Sequence, residues 1–164
     1  MAALTAGKAA PPISLQTTDG QNASLADALA KGPVVAVFFK VSCPVCQFTF
    51  PFIERIYEKY GGANVTFWGI SQDDARDTIR FMRDYGIKFP VLIDARGYPA
   101  SDQYGLTNVP TVFLIAPDGK IEISSVGFAK ADLERISAEA ARATVKPASP
   151  LFNAGEVVPA YKPG

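Results

Sequence analysis

The 164 residues suit one compact domain, and a composition 48% hydrophobic and 20% charged is that of a globular chain. Lys plus Arg and Asp plus Glu both number 16, so the basic footprint of a nucleic-acid binder is missing. Histidine is absent, which excludes every mechanism that needs an imidazole base, and two cysteines fall short of the four ligands of a structural zinc site.

Residues 1–12 are small and Pro-rich and read as a loose lead-in. Between Ile13 and Leu25, the turn signal Thr18-Asp19-Gly20-Gln21 separates two short runs and predicts a hairpin. Ser24 is placed to cap a short helix that Gly32-Pro33 stops. Val34 to Phe39 is an unbroken β-branched and aromatic run, expected of a strand covered on both faces. With Pro33 it is the longest apolar run, far too short to span a bilayer.

Cys43 to Tyr60 carries apolar residues at helical spacing, and Gly61-Gly62 predicts a glycine-type C-terminus. Pro51 falls inside this helix, where it is expected to kink it. Val65 to Ile70 reads as a second buried strand, with Trp68 in or beside the core. A helix follows, opened near Ser71, Asp73 and Asp74, with an apolar stripe of Ile79, Met82 and Tyr85 and a stop at Gly86. The acids Asp73, Asp74 and Asp77 read as helix N-terminal charge.

Phe89 to Ile93 is an extended piece and Tyr98 to Tyr104 a brief helix. Thr111 to Ile115 and Ile121 to Val126 form a hairpin around Pro117-Asp118-Gly119-Lys120, and Ala131 to Arg142 is a last amphipathic helix. Residues 145–164 hold four prolines and two glycines and read as an extended tail beyond a domain of residues 1–144, docked through Leu151, Phe152 and Tyr161. The order of elements implies an α/β fold: a mixed central sheet flanked by helices, with an N-terminal hairpin and an inserted βα element.

The chemistry concentrates where the first buried strand hands over to the first long helix. Both cysteines lie in Cys43-Pro44-Val45-Cys46, too close to staple distant segments, so they form a local redox pair. A thiol in the first helical turn meets unsatisfied N–H groups and the positive end of the helix dipole, which favour the thiolate of Cys43. Cys46, one turn further in, is expected to be more buried and to resolve the mixed disulfide that Cys43 forms. Pro44 suits a first helical turn, and Lys40 can add positive potential. The competing reading of the thiols is a pair of core side chains or half a metal site.

The second marker is Asn108-Val109-Pro110-Thr111, a proline directly before a buried strand. A cis Val109–Pro110 bond would leave adjoining backbone groups for an extended substrate, whereas a trans proline would simply open an edge strand.

These residues resemble the thioredoxin-like superfamily, nearest to its TlpA/ResA and AhpC/TSA (redoxin) branches. The likeness runs from about Ala10 to Arg142 and is carried by the Cys43–Cys46 motif, Pro51, the helix between Ser71 and Gly86, and Tyr104 to Ile115. It implies a thioredoxin fold with Cys43 as nucleophile, Cys46 as resolver and Pro110 as the facing cis-proline. The departures are specific. Ser42 stands where thioredoxins carry Trp, Val37 where they bury an acid, and Thr49 where many TlpA/ResA-like proteins place Glu. Ala36 and Lys40 occupy the places of the Pro and Thr that peroxiredoxins use.

The resulting expectation is a thiol–disulfide oxidoreductase with catalytic Cys43 and Cys46 and substrate contacts at Pro44, Val109 and Pro110. It needs no cofactor or metal, and it acts as a monomer on protein disulfides or dithiols with a separate redox donor. The alternatives are a peroxiredoxin-like thiol peroxidase and a non-catalytic thioredoxin-like binding domain. No apolar segment follows a basic one at the N-terminus, so the chain as written reads as cytoplasmic, or as periplasmic if it is a mature form.

Overall fold

The computed structural model describes residues 2–164. Its main sheet has seven strands in the order β2-β1-β5-β4-β3-β6-β7, namely β1 Ser14–Thr17, β2 Asn22–Ser24, β3 Val34–Phe39, β4 Thr66–Ser71, β5 Val91–Ile93, β6 Thr111–Ile115 and β7 Ile121–Val126. Strands β3, β4 and β5 run parallel, while β1, β6 and β7 each run antiparallel to a neighbour. Helices α1 Leu25–Leu29, α2 Pro44–Tyr60, α3 Ala75–Tyr85, α4 Pro99–Gln103 and α5 Lys130–Ala143 cover both faces. The mixed α/β sheet expected from the order of elements is the one found.

Every residue of β3 is buried, which explains its lack of polar alternation. Val35, Val37 and Phe39 face a core shared with α2 and α5, and Val34, Ala36 and Phe38 face a second core with Trp68, Tyr104 and Phe113. The side chain of Ser24 accepts the Asp27 N–H at 3.2 Å and starts α1 as predicted. Helix α2 passes through Pro51 without interruption, and the missing proline N–H leaves the Gln47 carbonyl without its helical partner.

Four expectations need correction. The lead-in is tied down, with Leu4 N–H donating to the Tyr104 carbonyl at 3.0 Å and Ala10 N–H to the Gly119 carbonyl at 2.8 Å. Helix α3 is rotated relative to the expected stripe, burying Thr78 and Phe81 and leaving Ile79 50% exposed. Phe81 wins because its ring packs on Phe39 and Phe50 at 4.9 and 5.3 Å, and side chains two apart do not share a helix face. Gly61 ends α2 in extended geometry, φ −60° and ψ 142°, not left-handed. Glycine is needed there for space, since a Cβ would fall 2.5 Å from the Tyr57 ring and carbonyl. Tyr161 is 53% exposed, so it docks far less deeply than Leu151, which is buried.

Residues 145–164 return along α2. Lys59 donates to Ser149 Oγ and the Pro150 carbonyl, Leu151 is buried, and Phe152 packs on Phe52 with ring centroids 5.0 Å apart. Burial of Leu151 is worth about 2 kcal/mol. The segment ends in β9 Tyr161–Lys162, which pairs antiparallel with β8 Phe128–Ala129.

Candidate active site

Strand β3 delivers the chain to the start of α2, and Cys43 is the residue that caps this helix, φ −82° and ψ 116°. Its sulfur does what a capping oxygen usually does. The Cys46 N–H donates to Cys43 Sγ at 3.1 Å, so an otherwise orphaned helix donor is aimed at the thiol. Pro44 fills the first helical position, where no N–H is wanted.

The two sulfurs differ in environment. Cys43 is half-buried and Cys46 fully buried, and both are free thiols. Burial pushes the Cys46 thiol well above the ordinary range, and its hydrogen bond to Cys43 pushes the same way. Thr49 is buried behind the pair, with its hydroxyl donating to the Val45 carbonyl at 2.7 Å.

The loop before Cys43 is fixed from two sides. Asp73 Oδ2 accepts the Val41 N–H at 2.8 Å, and Gln47 Nε2 donates to the Val41 carbonyl at 2.9 Å. Sequence reasoning missed both. It assigned Asp73 to the helix terminus, but Asp74 is the cap of α3, accepting the Asp77 N–H at 2.8 Å. Asp73 reaches across to the active loop instead.

The loop that precedes β6 faces the thiols. The Val109–Pro110 bond is cis, and Cys43 Sγ donates to the Val109 carbonyl at 3.5 Å. Thr111 Oγ1 donates to the Asn108 carbonyl at 2.8 Å and steadies the turn. Among the described residues none accepts the Val109 N–H. A cleft of about 500 Å³ opens here, lined by Lys40, Cys43, Pro44, Gln72, Val109 and Gly164. Thus Cys43, Pro44, Lys40 and Val109 share one cleft, with Cys46 behind it. Gln72, held by its amide donating to Ser101 Oγ at 3.0 Å, was not anticipated. Among the described residues no three His, Cys, Asp or Glu side chains are gathered to hold a metal, and no helix is long and apolar enough to cross a membrane.

Residues 6–124 match the AhpC/TSA family. The chain belongs to the AhpC/TSA family. Within it, the chain is 33% identical over 122 residues to the thiol-disulfide oxidoreductase ResA of Bacillus thuringiensis (strain Al Hakam), covering 74% of this chain and 69% of that one. A crystal structure from Chlorobium tepidum, described as a thiol:disulfide interchange protein DsbE, superposes with a TM-score of 0.74 at 27% identity, over 86% of this chain and 99% of that one. The peroxidoxin BcpB of Mycobacterium tuberculosis, at 22% identity and a TM-score of 0.71 over 85% and 97% of the two chains, shares the fold. This AhpC/TSA member is accordingly a thioredoxin-like thiol–disulfide oxidoreductase.

Proposed function

We propose that Cys43 and Cys46 form the exchanging dithiol, with Cys43 as attacking sulfur, and that protein disulfides are the substrates. One observation carries this reading: the thiol that caps α2 receives the Cys46 N–H at 3.1 Å and opens on a cleft, while its neighbour is buried behind it. In the reducing direction the Cys43 thiolate attacks a substrate disulfide, forms a mixed disulfide and expels one substrate thiolate. Cys46 then gives up its proton and attacks the Cys43 sulfur. The internal disulfide forms and the second substrate thiolate leaves. A separate dithiol donor returns two electrons and two protons to restore the pair.

The Val109 N–H, which no described residue accepts, belongs to the residue whose carbonyl takes the Cys43 thiol, and it suits an extended substrate chain, which adds main-chain hydrogen bonds to the attack geometry. Pro44 gives the cleft a rigid wall beside the thiol, while Pro110 is buried and acts through the cis bond that presents Val109 to it. Lys40 is exposed at the cleft and places a positive charge beside the developing thiolate. The deciding experiment is turbidimetric reduction of insulin by the protein with dithiothreitol as donor. Wild type accelerates the reaction and Cys43→Ser does not; full activity in Cys43→Ser overturns the assignment.

A further inference from the structure

The segment that follows α5 does more than cover the core. It meets the C-terminal end of α2 at Lys59, passes Arg55, and approaches the N-terminal end at Phe48. Arg55 holds it twice, through a two-pronged ion pair with Glu156 at 2.9 and 3.1 Å and a hydrogen bond to the Leu151 carbonyl at 3.0 Å. Near the cleft, Lys130 N–H donates to the Ala160 carbonyl at 2.9 Å, β9 pairs with β8, and Lys162 Nζ lies 4.8 Å from the centre of the Phe48 ring.

The fold makes room for this approach. Gly127 has φ +81°, and a Cβ there would fall 2.4 Å from the Lys162 carbonyl oxygen. At the far end Gly164 lies against the Val109 carbonyl, where a Cβ would be 2.3 Å from the oxygen. That oxygen is the one that accepts the Cys43 thiol. Pro159 and Pro163 bracket the strand and restrict its backbone, so holding it in place costs little entropy.

We propose that residues 161–164 form a fixed wall of the Cys43 cleft that selects its substrates, a reading that rests on Cys43 being the exchanging thiol. A substrate chain beside Val109 meets this wall on one flank and enters from the side of Lys40 and Gln72. Disulfides on a narrow, extended or flexible chain are admitted. Disulfides set flush in a broad folded surface are held off before their sulfur reaches Cys43.

The test compares the wild-type chain with Lys162→Ala, which removes the Phe48 contact, and Gly164→Val, which crowds the Val109 carbonyl. Cys43 is alkylated with N-ethylmaleimide and with a maleimide carried on a polyethylene glycol chain. The ratio of bulky to small reagent rates is expected to rise about tenfold in a variant whose wall is displaced. Insulin reduction is measured alongside and rises in step with that ratio. A rate ratio unchanged in both variants overturns the proposal. If wild type is alkylated but reduces no disulfide, the exchange function fails, and the alkylation ratio still judges the wall.

Discussion

The Cys46 backbone N–H donates to the Cys43 sulfur at 3.1 Å, so the proposed attacking thiol is held by the residue whose own sulfur is buried behind it. Position and order of reaction are thereby linked. In the proposed order, once Cys43 carries a substrate the next sulfur along the first helical turn is Cys46.

This linkage gives a trapping result. Cys46→Ser keeps the backbone N–H that holds Cys43 but removes the proposed resolving sulfur. The variant is expected to attack a protein disulfide once and stall as a mixed disulfide. Non-reducing gels should show a substrate adduct that dithiothreitol releases, and turnover should fall by about a hundredfold or more. Adducts that accumulate in Cys43→Ser and not in Cys46→Ser would reverse the two roles.

The buried Cys46 thiol also sets a pH dependence. Its folded-state pKa lies above the ordinary 9.0, chiefly through burial, so the fold favours the protonated thiol. The folded protein therefore retains this proton where the unfolded chain releases it. The stabilisation is fully present below pH 9.0 and is lost as pH rises beyond it. Denaturant midpoints of the reduced protein should fall above that pH, and Cys46→Ala should show a shallower decline. Tyr104, whose pKa burial also raises, contributes in the same direction and is common to both proteins.

The strands and the site were legible in the sequence to different depths. Phe38 and Phe39 belong to a run with no polar alternation, and such a run has one good home, between two helical layers. Cys43 could be placed because a buried strand ended just before a helical pattern began. The rotation of α3 was not legible, since Ile79, Met82 and Tyr85 make as regular a stripe as Thr78 and Phe81. The choice was made by Phe39 and Phe50 on other elements. Asp73 looked like a helix-terminal charge because its partner, Val41, lies 32 residues away. Lys162 and Gly164 gave no signal, because a two-residue strand carries no periodicity and its partner is set only by the tertiary fold.

Asp73 provides a test of loop positioning. Its carboxylate accepts the Val41 N–H at 2.8 Å, and such a charge-assisted bond contributes about 2 kcal/mol. Asp73→Ala frees the Val41 peptide and with it the approach to Cys43. Turnover is expected to fall about tenfold. Asp73→Asn, which keeps an acceptor oxygen, should recover most of it. Cys43 alkylation by iodoacetamide, compared between Asp73→Ala and Asp73→Asn, separates positioning from loss of charge, because both variants lack the carboxylate charge and only Asp73→Asn keeps an acceptor for the Val41 N–H. Equal activity in wild type and Asp73→Ala would show that Gln47, which donates to the Val41 carbonyl, holds the loop alone.

Glu54 carries a cost that a single substitution can remove. It is 5% exposed on α2, Oε1 accepts the Lys88 N–H at 2.8 Å, and Oε2 is buried with no donor among the described residues. Burial raises its pKa above 4.5, and the neighbouring Glu58 acts in the same sense, so the fold favours the neutral acid. The favourable contribution is present below pH 4.5 and is lost as pH rises through the folded value. Above pH 4.5 burial of this carboxyl therefore weighs against folding. Glu54→Gln keeps an oxygen for Lys88, carries no charge, and offers an amide N–H to Glu58. The variant should melt higher than wild type at pH 7, and the gap should close in acid as wild-type Glu54 takes up its proton. A lower melting temperature at pH 7 would mean that the Lys88 hydrogen bond needs the full carboxylate charge.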